Sequence, residues 1–300
     1  MKVFITGATG FIGAHVMQAL LARGHNVAAL VMPGDPADRL KTISDHFETI
    51  EGTLEDADLL AASLPAFKPD ACIHLAWYTE PGQYLNSYRN LQSLNASLSL
   101  FQTLIKMGCL QIVAAGTCFE YDTDFGYLHE NTATRPASLY AAAKLSCLLL
   151  GSQLAMQAGC RFAWGRIFYP YGPLEDPRRL VPAAIAALMQ GKAFPASPGE
   201  QVRDYIHVAD VATAFCTLIE KQAEGVFNIS SGVPVTIAHL LETISKLMDR
   251  PDLVQLGALP YRSWEPPFIS GNNKCLKNTG WEPEYSLTEG LIDTIQSFYR

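Results

Sequence analysis

The chain has 300 residues, 49% of them hydrophobic and 17% charged, a composition typical of a globular protein with a sizeable core. A formal net charge of −7 gives no basic face for nucleic acid, and seven cysteines without a C-x-x-C pair indicate neither a disulfide framework nor a metal site. Because no run of about 18 apolar residues occurs and the N-terminus leads directly into an apolar strand, we expect a cytoplasmic protein that does not associate with a membrane.

A glycine-rich turn, Gly7-Ala8-Thr9-Gly10-Phe11-Ile12-Gly13, lies between the predicted strand Lys2–Thr6 and a helix predicted from His15 to Arg23. Such a turn lets backbone N–H groups approach a phosphate at the positive end of the helix. The spacing G-x-x-G-x-x-G differs from the usual G-x-G-x-x-G, so a turn without a ligand is the alternative. The strand before the turn and the helix after it favour a dinucleotide-binding site.

The chain up to about Gly165 alternates short β-branched runs with helical stretches, which is the pattern of a parallel sheet covered by helices. The predicted strands are Lys2–Thr6, Asn26–Val31, Phe47–Glu51, Ala71–Leu75, Gln111–Gly116 and Arg161–Arg166. We therefore predict an α/β protein with a doubly wound parallel sheet. Its dinucleotide-binding domain comprises residues 1–165, to which residues 204–222 return. Residues 166–203 and 223–300 form a smaller C-terminal α/β substrate-binding lobe.

The residues after the second strand bear on the choice between NAD and NADP. An acid at that position binds a free ribose hydroxyl, whereas an arginine accommodates a 2′-phosphate. Here the strand ends in Val31-Met32-Pro33-Gly34 without an acid, Asp35 follows, and Arg39 lies farther on. The missing acid favours NADP. NAD bound through Asp35, with a solvated Arg39, is the alternative.

The loop after the fourth strand, Trp77-Tyr78-Thr79-Glu80-Pro81-Gly82-Gln83-Tyr84, is rich in aromatic residues. It leaves the carboxyl end of a strand, the edge at which open α/β sheets bind ligands, so it is a candidate substrate wall. A packing role for Trp77 is the alternative. His74, inside the apolar strand, fits a core histidine better than a catalytic one.

A catalytic group is predicted from the end of the fifth strand and the helix Ser138–Ala158. Tyr140 and Lys144 are four residues apart and share one helix face. A free tyrosine has a pKa near ~10, and a lysine ammonium one turn away favours the phenolate and lowers that pKa. Thr117 offers a hydroxyl to hold the substrate oxygen. A chance Y-x-x-x-K match is the alternative, and its position downstream of the glycine turn argues against chance.

Together these motifs resemble the extended short-chain dehydrogenase/reductases that act on nucleotide sugars, the NAD-dependent epimerase/dehydratase family. The resemblance covers nearly the whole chain. It is carried by the glycine turn, His74-Leu75-Ala76, Asn95, Thr117, the Tyr140/Lys144 pair, Arg166 to Pro173, Arg203-Asp204-Tyr205-Ile206-His207-Val208 and Gly280-Trp281-Glu282-Pro283. It implies a Rossmann fold in which Tyr140 is the acid/base, Lys144 tunes it and holds the nicotinamide ribose, and Thr117 orients the reacting oxygen.

We expect two sets of binding residues. The cofactor, NADP with NAD as the alternative, is expected to contact Gly7, Thr9, Gly10, Phe11, Ile12, Gly13, Arg39, Leu54, Leu75, Ala76, Trp77, Asn95, Tyr140, Lys144 and Phe168. A nucleotide-diphosphate sugar is expected to contact Tyr78, Tyr84, Cys118, Glu120, Tyr121, Tyr169, Arg203 and Arg262. The resemblance places Arg203 on the diphosphate, with a surface salt bridge to Asp204 as the alternative. Arg262 is a second candidate for the nucleotide end, with a solvated arginine as the alternative.

Two departures from the family narrow the predicted reaction. Cys118 and Phe119 follow Thr117 where the 4,6-dehydratases carry an aspartate and a glutamate, so dehydration lacks its acid and base. Tyr169 replaces an asparagine that many members use near the sugar, which argues against a UDP-galactose-type epimerase pocket. The Gly-Thr-Cys-x-Glu-Tyr-Asp form looks most like reductases of nucleotide-linked 4-keto-6-deoxyhexoses, in which Glu120 and Tyr121 would line the sugar pocket.

We therefore expect a reductase that uses NAD(P)H to reduce the keto group of a nucleotide-linked 4-keto-6-deoxysugar. A 4-epimerase that retains NAD is the first alternative, and a dinucleotide sensor without catalysis is the second. Helices predicted at Leu85–Met107 and Ser138–Ala158 combine small and apolar residues, as the face of a homodimer would. Burial inside one subunit explains that pattern equally well.

Overall fold

The computed structural model describes residues 1–261 and 265–299. Its strands are β1 (Lys2–Thr6), β2 (Asn26–Val31), β3 (Glu48–Glu51), β4 (Ala71–His74), β5 (Gln111–Thr117), β6 (Tyr127–Leu128), β7 (Arg161–Ile167), β8 (Tyr169–Tyr171), β9 (Phe194–Pro195), β10 (Val202–His207), β11 (Gly225–Ile229), β12 (Pro234–Thr236), β13 (Val254–Gln255) and β14 (Ser270–Gly271). Its α-helices are α1 (Phe11–Ala22), α2 (Ala57–Phe67), α3 (Arg89–Lys106), α4 (Leu139–Ala158), α5 (Leu180–Met189), α6 (Val208–Glu220), α7 (Ile237–Leu247), α8 (Lys274–Lys277) and α9 (Leu287–Ser297).

The main sheet confirms the predicted doubly wound α/β fold. Within the described ranges, seven parallel strands lie in the order β3-β2-β1-β4-β5-β7-β11. The chain runs outward from β1 to β3 and then returns to place β4 on the other side of β1. The loops after β1 and β4 therefore diverge, and they open the crevice in which such sheets bind ligands.

The strand predictions for the main sheet were accurate, with one omission. Each of the six predicted strands is present, and its ends differ by at most one residue from those observed. The sheet also contains β11, whose residues Gly225–Ile229 pair in parallel with β7. The sequence analysis assigned these residues to the C-terminal lobe, and that assignment is wrong for this strand. Helix α6 returns the chain to the sheet, and β11 follows it at the open edge beside β7.

The sheet is buried on both faces, which explains why its strands are apolar rather than alternating. Val3 and Ile5 of β1 pack into a cluster with residues of α1 and α6. Phe4 points to the opposite face and packs into a cluster with residues of α2, α3 and α4. The glycine turn after β1 is thus anchored between two cores.

A third cluster lies outside the main sheet. It combines Tyr171 with apolar residues of α5, α7 and α9, among them Ile185, Leu241 and Leu291. Strands β8, β10 and β12 form a second sheet over it. Since β8 directly follows β7, the end of the main sheet passes straight into this part of the chain.

Helix α4 is long and apolar enough to cross a membrane by length and composition alone, as the core helix of a soluble protein also can be. It packs against α3 and buries Tyr140, Lys144 and Cys147. Its N-cap is Ser138, as predicted, whose hydroxyl accepts a hydrogen bond from the N–H of Ala141 at 3.2 Å.

Candidate active site

The glycine turn has a shape that only glycine permits. Gly7 has φ of 74°, and a Cβ there would lie 2.7 Å from the backbone nitrogen of Ala76. A Cβ on Gly13 would lie 1.9 Å from the carbonyl oxygen of Gly7. Gly10 is the N-cap of α1, and in the described part of the chain no side chain caps it. The turn therefore presents bare backbone at a helix N-terminus, which fits a pyrophosphate.

Asp35 and Arg39 both reach the glycine turn. The Thr9 hydroxyl donates to Asp35 Oδ2 at 2.7 Å, and the Ala37 N–H donates to Oδ1 at 2.9 Å. Arg39 Nη1 donates to the Thr9 carbonyl at 3.1 Å, and its Nε donates to the Leu174 carbonyl at 3.2 Å. The two side chains proposed to discriminate NAD from NADP are thus neighbours at one end of the crevice.

His74 is a core histidine, as expected from its apolar strand. Its ring nitrogens lie 2.8 Å from the hydroxyl of Thr6 and 2.8 Å from that of Ser97. Burial, with a smaller contribution from the Lys144 charge, lowers the pKa of His74 to about 3. The ring is therefore neutral across the physiological range, and it joins β1, β4 and α3.

Asn95, a predicted cofactor contact, is exposed on α3. The inner face of α3 carries Asn90, Ser93 and Ser97, which are buried, whereas Asn95 is exposed. Positions two residues apart on a helix lie on opposite sides, so Asn95 lies on a different face of α3 from Ser93 and Ser97. Ser93 takes the inward place, and its hydroxyl accepts from the Tyr78 N–H at 3.4 Å.

The structure brings the three candidate catalytic residues together. Thr117 ends β5, and Tyr140 and Lys144 lie one turn apart on α4; their exposed fractions are 6%, 9% and 3%. The Thr117 side chain lies close enough to the Tyr140 phenol to affect its pKa. Lys144 Nζ donates to the Ala115 carbonyl at 2.8 Å. A hydroxyl, a phenol and an ammonium thus share one desolvated corner at the carboxyl end of the sheet.

The electrostatics differ from the sequence-based expectation. Burial raises the pKa of Tyr140 above its ordinary value, the neighbouring Tyr84 adds to this, and the Thr117 side chain opposes it. Burial lowers the pKa of Lys144 to about 8. The predicted lowering of the tyrosine pKa by the lysine is not found, because the ammonium is directed at the Ala115 carbonyl and the Trp77 ring.

The aromatic loop lies against the catalytic residues. The Lys144 ammonium is 3.9 Å from the centre of the Trp77 ring. Tyr84 meets Tyr140 edge-on, with ring centres 4.9 Å apart. Tyr78 stacks under the Arg89 guanidinium at 4.7 Å. The loop is therefore a wall of this corner, as predicted, and Leu75 and Ala76 lead into it.

Arg203 is buried near Tyr169 rather than paired with Asp204. Its guanidinium carbon lies 5.5 Å from the Tyr169 ring centre, and Nη1 donates to the Val202 carbonyl at 2.8 Å. The Asp204 carboxylate instead accepts hydrogen bonds from Ser231, Gly232, Ser270 and Gly271. The salt-bridge alternative for Arg203 is therefore wrong.

Glu120, Tyr121 and Phe168, which were predicted to contact ligands, are buried in the structure. Glu120 is fully buried, where Oε1 accepts from the Thr117 N–H at 2.8 Å and Oε2 pairs with Arg166 Nε at 2.7 Å. Tyr121 is also fully buried, and its hydroxyl donates to Asn228 at 2.7 Å. Phe168 packs with Cys118 and Tyr121 in a small apolar cluster. These residues support the site from behind.

Replacing Glu120 with glutamine should reduce the free energy of unfolding by about 3 kcal/mol, because Arg166 would remain buried with an uncompensated charge. Urea titration measures this loss. Glu220→Gln breaks the half-exposed pair with Arg23 and should cost less than about 1 kcal/mol. Equal effects of the two substitutions would contradict the structural role of Glu120.

The segment 173–179 contributes charged residues that the sequence analysis passed over. Arg179 lies 5.7 Å from the Tyr84 ring centre, and Arg178 pairs with Glu80 at 2.6 Å. The Pro173 carbonyl oxygen lies 2.9 Å from His15 Nε2. The signal in the sequence was the charged run Glu175-Asp176-Pro177-Arg178-Arg179.

Glu175 supplies a pH-dependent prediction. Its carboxyl is buried, and Oε2 has no hydrogen-bond partner among the described residues. Burial raises the pKa of Glu175 to about 8, against a smaller opposing effect of Arg179. The folded protein thus keeps a proton that the unfolded chain releases above about pH 4.5. We expect the free energy of unfolding to fall by about 2 kcal/mol or more between pH 5 and pH 8 through this group.

Glu175→Gln should remove that component of the pH dependence, since the amide does not titrate. Urea titrations at pH 5 and pH 8 measure it. Glu55→Gln, at an exposed position, should leave the pH dependence as in the unmodified protein. If Glu175→Gln and the parent protein lost the same stability between pH 5 and pH 8, the assignment of this pH dependence to Glu175 would be refuted.

The remaining predicted contacts are placed as follows. Leu54 packs at the edge of the cluster beneath α2 and α3. Cys118 is buried, and burial raises the pKa of its thiol to about 12. Arg262 lies outside the described residues.

Comparison with known proteins gives a consistent result. The sequence model of the NAD dependent epimerase/dehydratase family matches residues 3–230. CDP-abequose synthase of Salmonella typhimurium is 27% identical over 311 residues, covering 98% of this chain and 97% of that protein. UDP-glucose 4-epimerase of Mycolicibacterium smegmatis is 28% identical over 320 residues, covering 99% and 98%.

Two further comparisons bear on activity and fold. GDP-6-deoxy-D-mannose reductase of Pseudomonas aeruginosa is 27% identical over 304 residues, covering 97% of this chain and 94% of that protein. The crystal structure of UDP-glucose 4-epimerase from Thermotoga maritima superposes with a TM-score of 0.89 at 24% identity, covering 100% of this chain and 99% of that chain. The fold is therefore shared over the whole length.

Proposed function

Because the chain belongs to the NAD dependent epimerase/dehydratase family, we propose that it is a reductase of a nucleotide-linked 4-keto-6-deoxysugar. The observation that carries this proposal is the cluster of Thr117, Tyr140 and Lys144, with Cys118 and Phe119 beside it instead of an acid and a base. Such a cluster can protonate a carbonyl oxygen. It contains no carboxyl group that could act as the acid or the base in eliminating water. One relative is itself named a reductase of a nucleotide-linked deoxysugar.

In this proposal the glycine turn and the N-terminus of α1 hold the cofactor pyrophosphate, and Lys144 and Trp77 lie toward its nicotinamide end. NADPH or NADH, when bound, supplies the hydride that reduces the carbonyl carbon. Thr117 and Tyr140 lie in the same buried corner and can both contact the one carbonyl oxygen. Tyr140 donates its phenolic proton as the C=O electron pair moves onto that oxygen. The raised pKa of Tyr140 keeps this proton available at neutral pH.

The substrate is proposed to lie between the aromatic wall and the arginines. Tyr84 and Tyr78 border the sugar, Tyr169 lies opposite, and Arg203 binds the diphosphate from its buried position. Residues 166–203 and the chain after β11 are proposed to form the substrate-binding lobe. This modifies the predicted boundary only by returning β11 to the sheet.

The cofactor preference is proposed as NADP(H), since Arg39 reaches the Thr9 carbonyl of the turn. Asp35, which accepts from the Thr9 hydroxyl, favours NAD(H) instead, because a carboxylate accepts from ribose hydroxyls and repels a 2′-phosphate. Binding titrations of both nucleotides decide between the two. An Asp35→Asn variant should gain affinity for the phosphorylated nucleotide in either case.

A 4-epimerase is the second candidate, favoured by the likeness to UDP-glucose 4-epimerase along the full chain. The test is to incubate the protein with nucleotide-linked 4-keto-6-deoxysugars and to follow NADPH and NADH absorbance in parallel. Stoichiometric oxidation of the nucleotide supports the reductase. Interconversion of sugars without net oxidation supports the epimerase. No turnover across a panel of nucleotide sugars would leave a dinucleotide-binding protein without catalysis.

A homodimer is proposed through the outer faces of α3 and α4. Exposed apolar side chains there include Leu91 (44%), Leu149 (57%), Leu150 (50%) and Met156 (65%). Light scattering should give twice the chain mass of 32.8 kDa, and Leu150→Glu should reduce it toward the monomer. A monomer mass for the unmodified protein at micromolar concentration would exclude this arrangement.

A further inference from the structure

The two candidate catalytic residues on α4 are each covered by an aromatic side chain of the loop after β4. Trp77 lies against the Lys144 ammonium, at 3.9 Å from ring centre to Nζ. Tyr84 lies edge-on against the Tyr140 ring, at 4.9 Å between centres. Tyr140 and Lys144 are one turn apart, so the two aromatic rings contact neighbouring positions of one helix face.

A single amide connects these two aromatic residues. Asn90, in the first turn of α3, has no exposed surface. Its Oδ1 accepts from Trp77 Nε1 at 2.9 Å. Its Nδ2 donates to the Tyr84 carbonyl at 2.6 Å and to the Ser87 carbonyl at 2.9 Å. The amide thus fixes the indole of one wall residue and the backbone of the other.

We propose that Asn90 is a positioning residue, which holds Trp77 against the Lys144 ammonium and Tyr84 against the Tyr140 ring. The proposal of a role in turnover rests on the proposed function, whereas the effect on Lys144 does not. Asn90 touches neither catalytic candidate itself; it acts through the two aromatic side chains.

The position of the Trp77 indole matters because the Lys144 ammonium is desolvated. Its ammonium is buried and, among the described residues, donates a hydrogen bond to the carbonyl of Ala115. The face of an indole partly replaces the lost hydration, because its quadrupole attracts a cation. If the indole turns away, the charged form of the lysine loses that support, and it gives up its proton at a lower pH.

The test follows the titration of Lys144 by NMR of lysine labelled with ¹³C at Cε, with its signal assigned by loss in Lys144→Met. In the unmodified protein the titration should have its midpoint near pH 8. In Asn90→Ala we expect the midpoint to fall by about half a unit to one unit. Gln92→Ala, an amide on the exposed side of the same helix, should leave it unchanged.

A pair of substitutions at the indole separates ring position from folding. Trp77→Phe retains an aromatic face and should have a Lys144 midpoint close to that of the unmodified protein. Trp77→Leu should lower the midpoint as Asn90→Ala does. Circular dichroism checks that each variant is folded. If Asn90→Ala does not fold, the comparison of Trp77→Phe with Trp77→Leu still tests whether the aromatic ring sets the Lys144 midpoint. A Lys144 midpoint that is the same in Trp77→Leu and in the unmodified protein would overturn the proposal.

Turnover gives the second readout. With a 4-keto-6-deoxysugar substrate, Asn90→Ala should lower kcat about tenfold or more and change KM much less, and the alkaline limb of its pH profile should move with the NMR midpoint. A shifted NMR midpoint without reductase activity in any variant would reject the proposed function and retain the role of Asn90. A lower kcat in Asn90→Ala, with the alkaline limb of the pH profile and the Lys144 NMR midpoint both unchanged, would reject the positioning role.

Discussion

Tyr140→Phe should lower kcat by about 10²- to 10⁴-fold, the range over which general acids contribute, and should change dinucleotide affinity little. Phenylalanine keeps the ring that packs edge-on against Tyr84 and removes only the hydroxyl beside Thr117. The variant therefore loses the proton donor while its fold is maintained. Steady-state kinetics with a 4-keto-6-deoxysugar, together with a direct nucleotide titration, measure both quantities.

The control is Tyr88→Phe, since Tyr88 is 82% exposed at the N-cap of α3. It should have the parent kcat. A Tyr140→Phe enzyme with unchanged turnover would remove Tyr140 from the mechanism. A large rise in KM with an unchanged kcat would mean that the phenol binds substrate in the ground state and does not act on the transition state.

The second large effect is expected from Gly13→Ala. The added methyl carbon would lie 1.9 Å from the Gly7 carbonyl oxygen and 2.9 Å from the Ala8 Cα, and both are backbone atoms. They cannot move aside as a flexible side chain could. The Gly7 carbonyl is also the acceptor of the Gly10 N–H at 3.1 Å, so its displacement distorts the whole turn. We expect dinucleotide affinity to fall at least about 100-fold, which corresponds to about 2.7 kcal/mol.

Gly159→Ala is the matched control for Gly13→Ala. Gly159 ends α4 with φ of 66°, and a Cβ there would meet nothing within 4 Å. Its substitution should cost about 1 kcal/mol of stability through backbone strain and leave nucleotide affinity unchanged. Isothermal titration and urea unfolding of both variants check the contrast. Equal nucleotide affinities in the two variants would contradict the role given to the turn.

The parts of the fold that the sequence predicted are those with local causes. Strands buried on both faces appear as apolar runs, and their ends were located to within a residue. The pairing of Tyr140 with Lys144 was also visible, because both lie on one helix four residues apart. Strand β11 was missed because its place beside β7 depends on where α6 ends in space.

The site was harder to predict where contacts join distant residues. Glu120 looked like a pocket residue because it follows Thr117, yet its partner Arg166 is contributed by another strand and buries it. Asn95 matches a family asparagine, and its exposed position on α3 depends on how that helix packs against the sheet. The amide of Asn90 gains its meaning only from the neighbouring Trp77 and Tyr84. Sequence spacing carries none of these three facts.

The segment 173–179 has a thermodynamic consequence. Its carbonyls at Pro173 and Leu174 contact His15 and Arg39, which belong to the dinucleotide end. Its arginines contact Glu80 and Tyr84 on the opposite wall. A dinucleotide that orders His15 and Arg39 also orders the segment 173–179. The sugar nucleotide then loses less conformational entropy when it binds, so the two ligands should bind with positive cooperativity. Linkage requires the enhancement to be equal in both directions, and each ligand titrated with and without the other measures it.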